Sequence, residues 1–309
     1  MREQAVAHVA TWKTDLWLTV RGRGAESPQV RRWLDDFLRS ETARLDRAAS
    51  RFRPDSEVTA VNDGAGRWVP VSWYFVCVLT ASLDAARATS GLVDPTFGHE
   101  LSEQGYERWS GQPTPTRHQA RTPGTSWRDV EVRPGGGQAL VRVPPGIGLD
   151  LGAVAKGWLA DRLATTTHRT LGLDALANAG GDLRCVTGGD PWTVWAEPGE
   201  PDRAPRALDL TDAGLATSGI GRRRWQGEQG PQHHIIDPRT GASARTCWTS
   251  VTVVAANAAA ANTAATAAVI QGEDAPAWLT SLGLDAWLVG PEGRSTMIGG
   301  WAVSEELVA

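Results

Sequence analysis

Two imidazoles and a carboxylate fall within five positions, His233, His234 and Asp237, in the run HHIIDPRTG from His233 to Gly241. A short apolar strand leads into a turn whose Pro238 and Gly241 fix the backbone, and such a corner aims side chains. Imidazole changes charge near neutral pH, so a histidine held there beside an aspartate suits proton removal from a weak nucleophile. Either histidine fits that role, and the same residues also read as two surface histidines beside a turn. A second run, Asp150 to Gly157 (DLGAVAKG), combines small residues and a helix start with a lysine one turn in, which suits a phosphate or a ribose. It matches neither GxxxxGK[ST] nor a GxGxxG after a strand, so neither a P-loop nor a dinucleotide Rossmann unit is indicated. Asp94 with its neighbours and Thr217 to Arg222 place further isolated charges and hydroxyls at turns.

The elements that must position these groups follow from pattern. Leu16 to Val20 alternates as a half-buried strand. Ser27 and Pro28 open a helix whose Val30, Trp33, Leu34, Phe37, Leu38 and Leu45 share one face. Ser50 to Gly66 reads as a polar loop. A second helix spans roughly Ser72 to Ser90, with Phe75, Val76, Val78, Leu79 and Leu83 inward and Gly91 as its stop. A hairpin is expected from Trp127–Val132 and Ala139–Val143, closed by RPGGG. DLGAVAKG should open a third helix that ends near Gly172. Strand-like residues follow from Ala175 to Gly188, with a double glycine where backbone approaches something closely. Val251 to Ala256 is a strand, an alanine-rich helix runs to Gly272, a last helix covers Pro276 to Leu282 and a last strand lies near Trp287 to Val289. Helices mixed with hairpin strands indicate an α+β fold with mixed, largely antiparallel sheets flanked by helices. Residues 109–125, rich in Pro, Thr, Gly and Arg, are expected as an exposed loop.

Composition narrows the class. A chain of 309 residues buries a sizeable core, and residues 1–309 are taken as a single domain. With 31 basic against 35 acidic residues the formal charge is -4, which argues against a nucleic-acid partner. No apolar run is long enough to span a membrane and no secretory leader is visible, so a cytoplasmic location is expected. Cys77, Cys185 and Cys247 are widely spaced and odd in number, which argues against a disulfide framework or zinc site; they are expected as buried thiols. Lysine occurs only at Lys13 and Lys156, against 29 arginines, which draws attention to Lys156 within its motif.

The order of the motifs carries more than any one of them. SRFRPDSEVTAVN, then DPT at Asp94 to Thr96, DLGAVAKGWLAD, NAGGD, ATSG and HHIIDPRTG resembles the ApbE family of FAD:protein FMN transferases, over about Ala10 to Gly290. The resemblance implies magnesium-dependent transfer of the FMN half of FAD to a threonine hydroxyl of a target protein, with release of AMP. It implies His234 as the base with Asp237 or the turn orienting it, and His233 as a competitor. FAD contacts are implied for Asp150, Lys156 and Ile236, a phosphate pocket for Ser218 and Gly219 with Arg222 adding charge, and an adenine or ribose border for Asp94. Phe52 occupies the position of an aromatic residue able to stack on isoalloxazine, and Trp12 stands where the family often has methionine; both also read as core residues. Magnesium would be held by the Ala153 carbonyl, Asn262 and Thr266. The family has aspartate at the position of Asn262, and a neutral oxygen binds magnesium less well than a carboxylate. Asn262 therefore also admits a flavin-binding paralogue without transfer activity, and water as acceptor would make the protein an FAD pyrophosphatase.

Overall fold

The computed structural model describes residues 3–106, 111, 121–197, 204–227 and 230–300. The chain divides into two compact units, one of Met1–Thr42, Lys156–Gly221 and Thr246–Ala309, the other of Ala43–Ala155 and Arg222–Arg245.

The first unit is built on an eight-stranded sheet whose neighbours all pair antiparallel. In spatial order its strands are Gln4–Thr11, Thr14–Arg21, Asp174–Ala179, Asp182–Val186, Gly214–Gly219, Ser250–Ala255, Asp285–Val289 and Ser295–Ile298. Leu16, Leu18 and Val20 point inward and are fully buried, as their alternation requires. The first strand escaped the sequence reading because its inward residues are Ala5 and Ala7, while Val6 faces out at 47% exposure; apolar alternation is blurred there. Trp12 and Lys13 make the hairpin turn after it, both left-handed with φ of 51° and 58°. The segment Ala175 to Gly188 is a hairpin turning at Gly180 and Gly181, both with positive φ. A Cβ on Gly180 would also lie 2.7 Å from Thr14 Oγ1, the close approach that the double glycine implies.

The helices Ala155–Leu171, Ala258–Gln271 and Ala275–Ser281 and most of Pro28–Ala49 belong to this unit. The alanine-rich helix is Ala258–Gln271, and its Ala261, Ala264, Ala265, Ala267 and Ala268 are buried. Helix Ala155–Leu171 crosses its start so closely that a Cβ on Gly157 would sit 3.0 Å from Ala258 O and Ala259 Cα. A second core under the sheet gathers Cys185, Trp192, Leu208 and Trp287. Cys185 alone among the cysteines is buried; Cys77 is exposed and Cys247 half-buried, because Cys77 lies on the outer side of its helix.

The second unit holds the helices Glu57–Gly64, Trp73–Ala88 and Gly98–Glu103 and a three-stranded sheet of Val69–Val71, Gln138–Arg142 and Glu131–Gly135. Glu57–Gly64 lies inside the stretch expected as a polar loop: Ser56 caps it by accepting from Thr59 N–H at 3.2 Å, and Val58 and Val61 form a buried face too short to show a period. The expected hairpin is shifted. Trp127–Asp129 is one turn of 3-10 helix closed by a capping box from Ser126, and Arg133 to Gly135 extend the strand up to a turn at Gly136 and Gly137. The third helix starts at Ala155, not at Asp150, because the Leu151 carbonyl accepts from both Val154 and Ala155 N–H in a preceding turn. Helix Pro28–Ala49 begins where Ser27 predicts, with the hydroxyl accepting from Val30 N–H at 3.3 Å, and buries Leu34, Leu38 and Leu45. Of the loop expected at 109–125, residues 109, 110 and 112–120 lie outside the described residues; in the remainder Arg121 pairs with Glu100 at 2.7 Å.

Candidate functional site

In the first unit a chain of polar contacts runs through buried side chains. Lys156 Nζ donates to Asp182 Oδ2 at 3.1 Å, and Asn262 Nδ2 donates to Asp182 Oδ1 at 2.8 Å. A carboxylate only accepts, so the amide orientation of Asn262 is dictated and its Oδ1 faces the Thr266 hydroxyl, 3.4 Å away. Thr266 Oγ1 lies 2.8 Å from Ser218 Oγ. Asp182 is 3% exposed, so a full negative charge is held inside the protein by one ammonium and one amide. The helix that carries Asn262 and Thr266 is itself anchored: Asp161 accepts from Ala258 N–H at 2.7 Å and from Ala259 N–H at 3.0 Å, and Asn257 caps Ala260 N–H. Burial pushes the Asp161 carboxyl above its ordinary range against these two amides.

In the second unit the corner around His233 is tied on several sides. His233 is buried; its Nε2 lies 2.9 Å from the Ala244 carbonyl and must donate, while Nδ1 accepts from Ile235 N–H at 3.3 Å. Both ring nitrogens are thus occupied in the neutral tautomer, and burial lowers the imidazole's affinity for a proton below the ordinary histidine value. His234, its neighbour, is half-buried. Ser243 Oγ accepts from His233 N–H at 3.0 Å and lies 2.7 Å from the His233 carbonyl. Gln104 lies 3.0 Å from that hydroxyl through Oε1, donates to the Gly241 carbonyl at 2.7 Å, and accepts from Trp225 Nε1 at 2.6 Å through its own carbonyl. The Asp237 carbonyl accepts from Thr240 and Gly241 N–H, forming the expected turn. Its carboxylate is taken by Arg239, through the guanidinium at 2.8 Å and the backbone N–H at 2.9 Å; burial works against the charged form, but the Arg239 hydrogen bonds hold the group below the ordinary carboxylate range. Phe52, Tyr106 and Trp225 form an aromatic row, with ring centroids 6.0 Å and 5.7 Å apart.

Residues 11–288 match the model of the ApbE family. The chain belongs to the ApbE family. An FAD:protein FMN transferase of Klebsiella pneumoniae is 31% identical over 263 residues, 81% of this chain and 74% of that protein. One from Treponema pallidum is 31% identical, covering 79% of this chain and 74% of its own length. The fold is that of the ApbE protein of Thermotoga maritima, with a TM-score of 0.79 and 24% identity over 96% of this chain and 97% of that one.

On this ApbE fold the remaining sequence-predicted residues sit as follows. Asp94 Oδ1 takes the Thr96 N–H at 2.8 Å and its hydroxyl at 2.6 Å, and burial pushes its carboxyl up against those bonds. Asp150 is gripped by Arg51 at 2.5 Å. Ala153 is exposed in the turn before its helix, Gly219 ends a strand of the large sheet, and Arg222 is exposed. Ile236 is half-buried in a two-residue strand paired with Ser243. Trp12 is half-buried in its hairpin turn in the first unit, whereas Phe52 belongs to the aromatic row of the second. Sequence reasoning missed Arg51, Gln104, Asp161 and Asp182. Arg51, Asp161 and Asp182 stand inside the quoted motifs SRFRPDSEVTAVN, DLGAVAKGWLAD and NAGGD, which was the available signal; Gln104 carried none. Among the described residues no group of three or more His, Cys, Asp or Glu side chains is arranged to hold a metal ion, and no helix is long and apolar enough to cross a membrane.

Proposed function

We propose that this protein is an FAD:protein FMN transferase, which attaches the FMN half of FAD to a threonine hydroxyl of a target protein and releases AMP. The observation that carries the reading is the division of labour at the histidine corner. His233 has both ring nitrogens engaged, by the Ala244 carbonyl and the Ile235 amide, so the base of the reaction is assigned to the adjacent His234. In the proposed reaction the acceptor oxygen attacks the FMN phosphorus, the bond from that phosphorus to the AMP oxygen breaks, and the hydroxyl proton passes to the His234 ring. Asp237 contributes through the backbone turn and its Arg239 pair, which keep the corner rigid.

Lys156, Ser218, Gly219 and Arg222 are assigned to the phosphates, Phe52, Trp12 and Ile236 to the flavin, and Asp94 and Asp150 to the rest of FAD. The oxygens of Asn262 and Thr266 are neutral, and Asp182 is already committed to Lys156 and Asn262. Asn262 and Thr266 would offer neutral oxygens to a magnesium ion that draws its charge partner from the diphosphate. Bound there, the ion would neutralise charge on the diphosphate.

Incubation with FAD, Mg2+ and a target domain bearing an acceptor threonine is expected to give covalent in-gel flavin fluorescence and stoichiometric AMP. His234→Ala should retain FAD binding and lose about 10²–10⁴-fold in transfer rate. FAD binding with neither covalent flavin nor AMP would establish instead the flavin-binding reading that Asn262 favours, and AMP with free FMN would establish the pyrophosphatase.

A further inference from the structure

Arg51 is a charged residue inside the second unit, 8% exposed. Its Nη1 donates to Asp150 Oδ2 at 2.5 Å, and its Nη2 donates to the Gly98 carbonyl at 3.1 Å and to the Ser102 hydroxyl. The guanidinium carbon lies 5.6 Å from the ring centre of Tyr106 and 5.8 Å from that of Phe52. Asp150 is held from its other sides too: Oδ1 accepts from Gly152 N–H at 2.7 Å, and its own N–H donates to the Pro95 carbonyl at 2.8 Å. Three segments that are far apart in sequence therefore meet at one guanidinium. A planar fork satisfies acceptors in divergent directions, which an ammonium on a flexible stem does not. Removing the guanidinium would leave the Asp150 carboxylate held by the Gly152 N–H alone, and a group that must be ordered further on binding weakens the complex.

We infer that Arg51 is a positioning residue for FAD recognition, acting through Asp150, whose carboxylate it holds in the orientation that meets the ligand. The inference rests on the FAD-facing role proposed above for Asp150. FAD affinity, read from flavin fluorescence, is to be measured for the wild-type protein, Arg51→Gln, Asp150→Asn and the double variant, each well below its melting temperature. Arg51→Gln is expected to weaken FAD about tenfold, the weight of one charge-assisted hydrogen bond, but less than about twofold in the Asp150→Asn background. In the transfer assay KM for FAD should rise with Kd while kcat changes far less. Arg51→Lys keeps the charge and should recover part of the affinity; it carries the same cycle if Arg51→Gln does not fold. Wild-type affinity in both Arg51 variants, or an equal loss in both backgrounds, would overturn the inference and leave the transferase reading standing. Failure of the wild-type protein to bind FAD would overturn both.

Discussion

Asn262 is proposed as a magnesium ligand where the resemblance expects an aspartate, and its environment gives that proposal a measurable consequence. Its Nδ2 meets Asp182 Oδ1 at 2.8 Å, so an aspartate there would set two carboxylate oxygens against each other inside the protein. Like charges at that distance favour either a shared proton or a cation. Asn262→Asp is expected to lose about 1–3 kcal/mol of stability in EDTA and to regain more of it on adding Mg2+ than the wild-type protein gains. Thermal melts with and without the ion read the difference; equal Mg2+ responses would place the metal elsewhere. His233 supplies a second residue-scale test. Burial lowers its pKa in the folded state below the ordinary 6.5, so below that value the unfolded chain binds more protons. Its contribution is complete above pH 6.5 and is lost as pH falls through the folded value. His233→Gln should flatten the fall in melting temperature between pH 7 and pH 5, and an unchanged slope would assign that fall to other groups.

At the scale of elements, the placement of Asn262 and Thr266 depends on where their helix begins. Asp161, one turn beyond Gly157 on the crossing helix, accepts from the first two amides of Ala258–Gln271 where the helix dipole is positive. Gly157 is the residue that lets those two helices approach. Asp161→Ala should cost about 1–2 kcal/mol, seen as a lower urea midpoint at constant m-value. The same substitution should weaken whatever Thr266 and Asn262 hold, because the start of their helix loses its anchor. Local chemistry made the longer helices legible: Ser27 as a cap, the apolar face of Pro28–Ala49, and a helix from about Ser72; it also marked the double glycine as a place of close backbone approach. It misled where a motif extended past its element. DLGA reads as a helix start, but its backbone first closes a turn around Leu151. RPGGG reads as a loop, but its first three residues continue a strand.

For the whole molecule, the sheet order and the polar networks follow from pairings that no local pattern encodes. The strand Thr14–Arg21 pairs with Asp174–Ala179, Arg51 meets Asp150 over 99 positions, and Asn262 meets Asp182 over 80. Capping, turn formation and amphipathic faces depend on neighbours within a turn or two, so the sequence by itself determined the class of fold, the longer helices and the family signature. Which of the two histidines is locked by the backbone, and which partners Asp150 and Asn262 take, depends on contacts closed over long stretches of chain. Those contacts exist only once the sheet and its helices have packed, and the tertiary structure alone decided them.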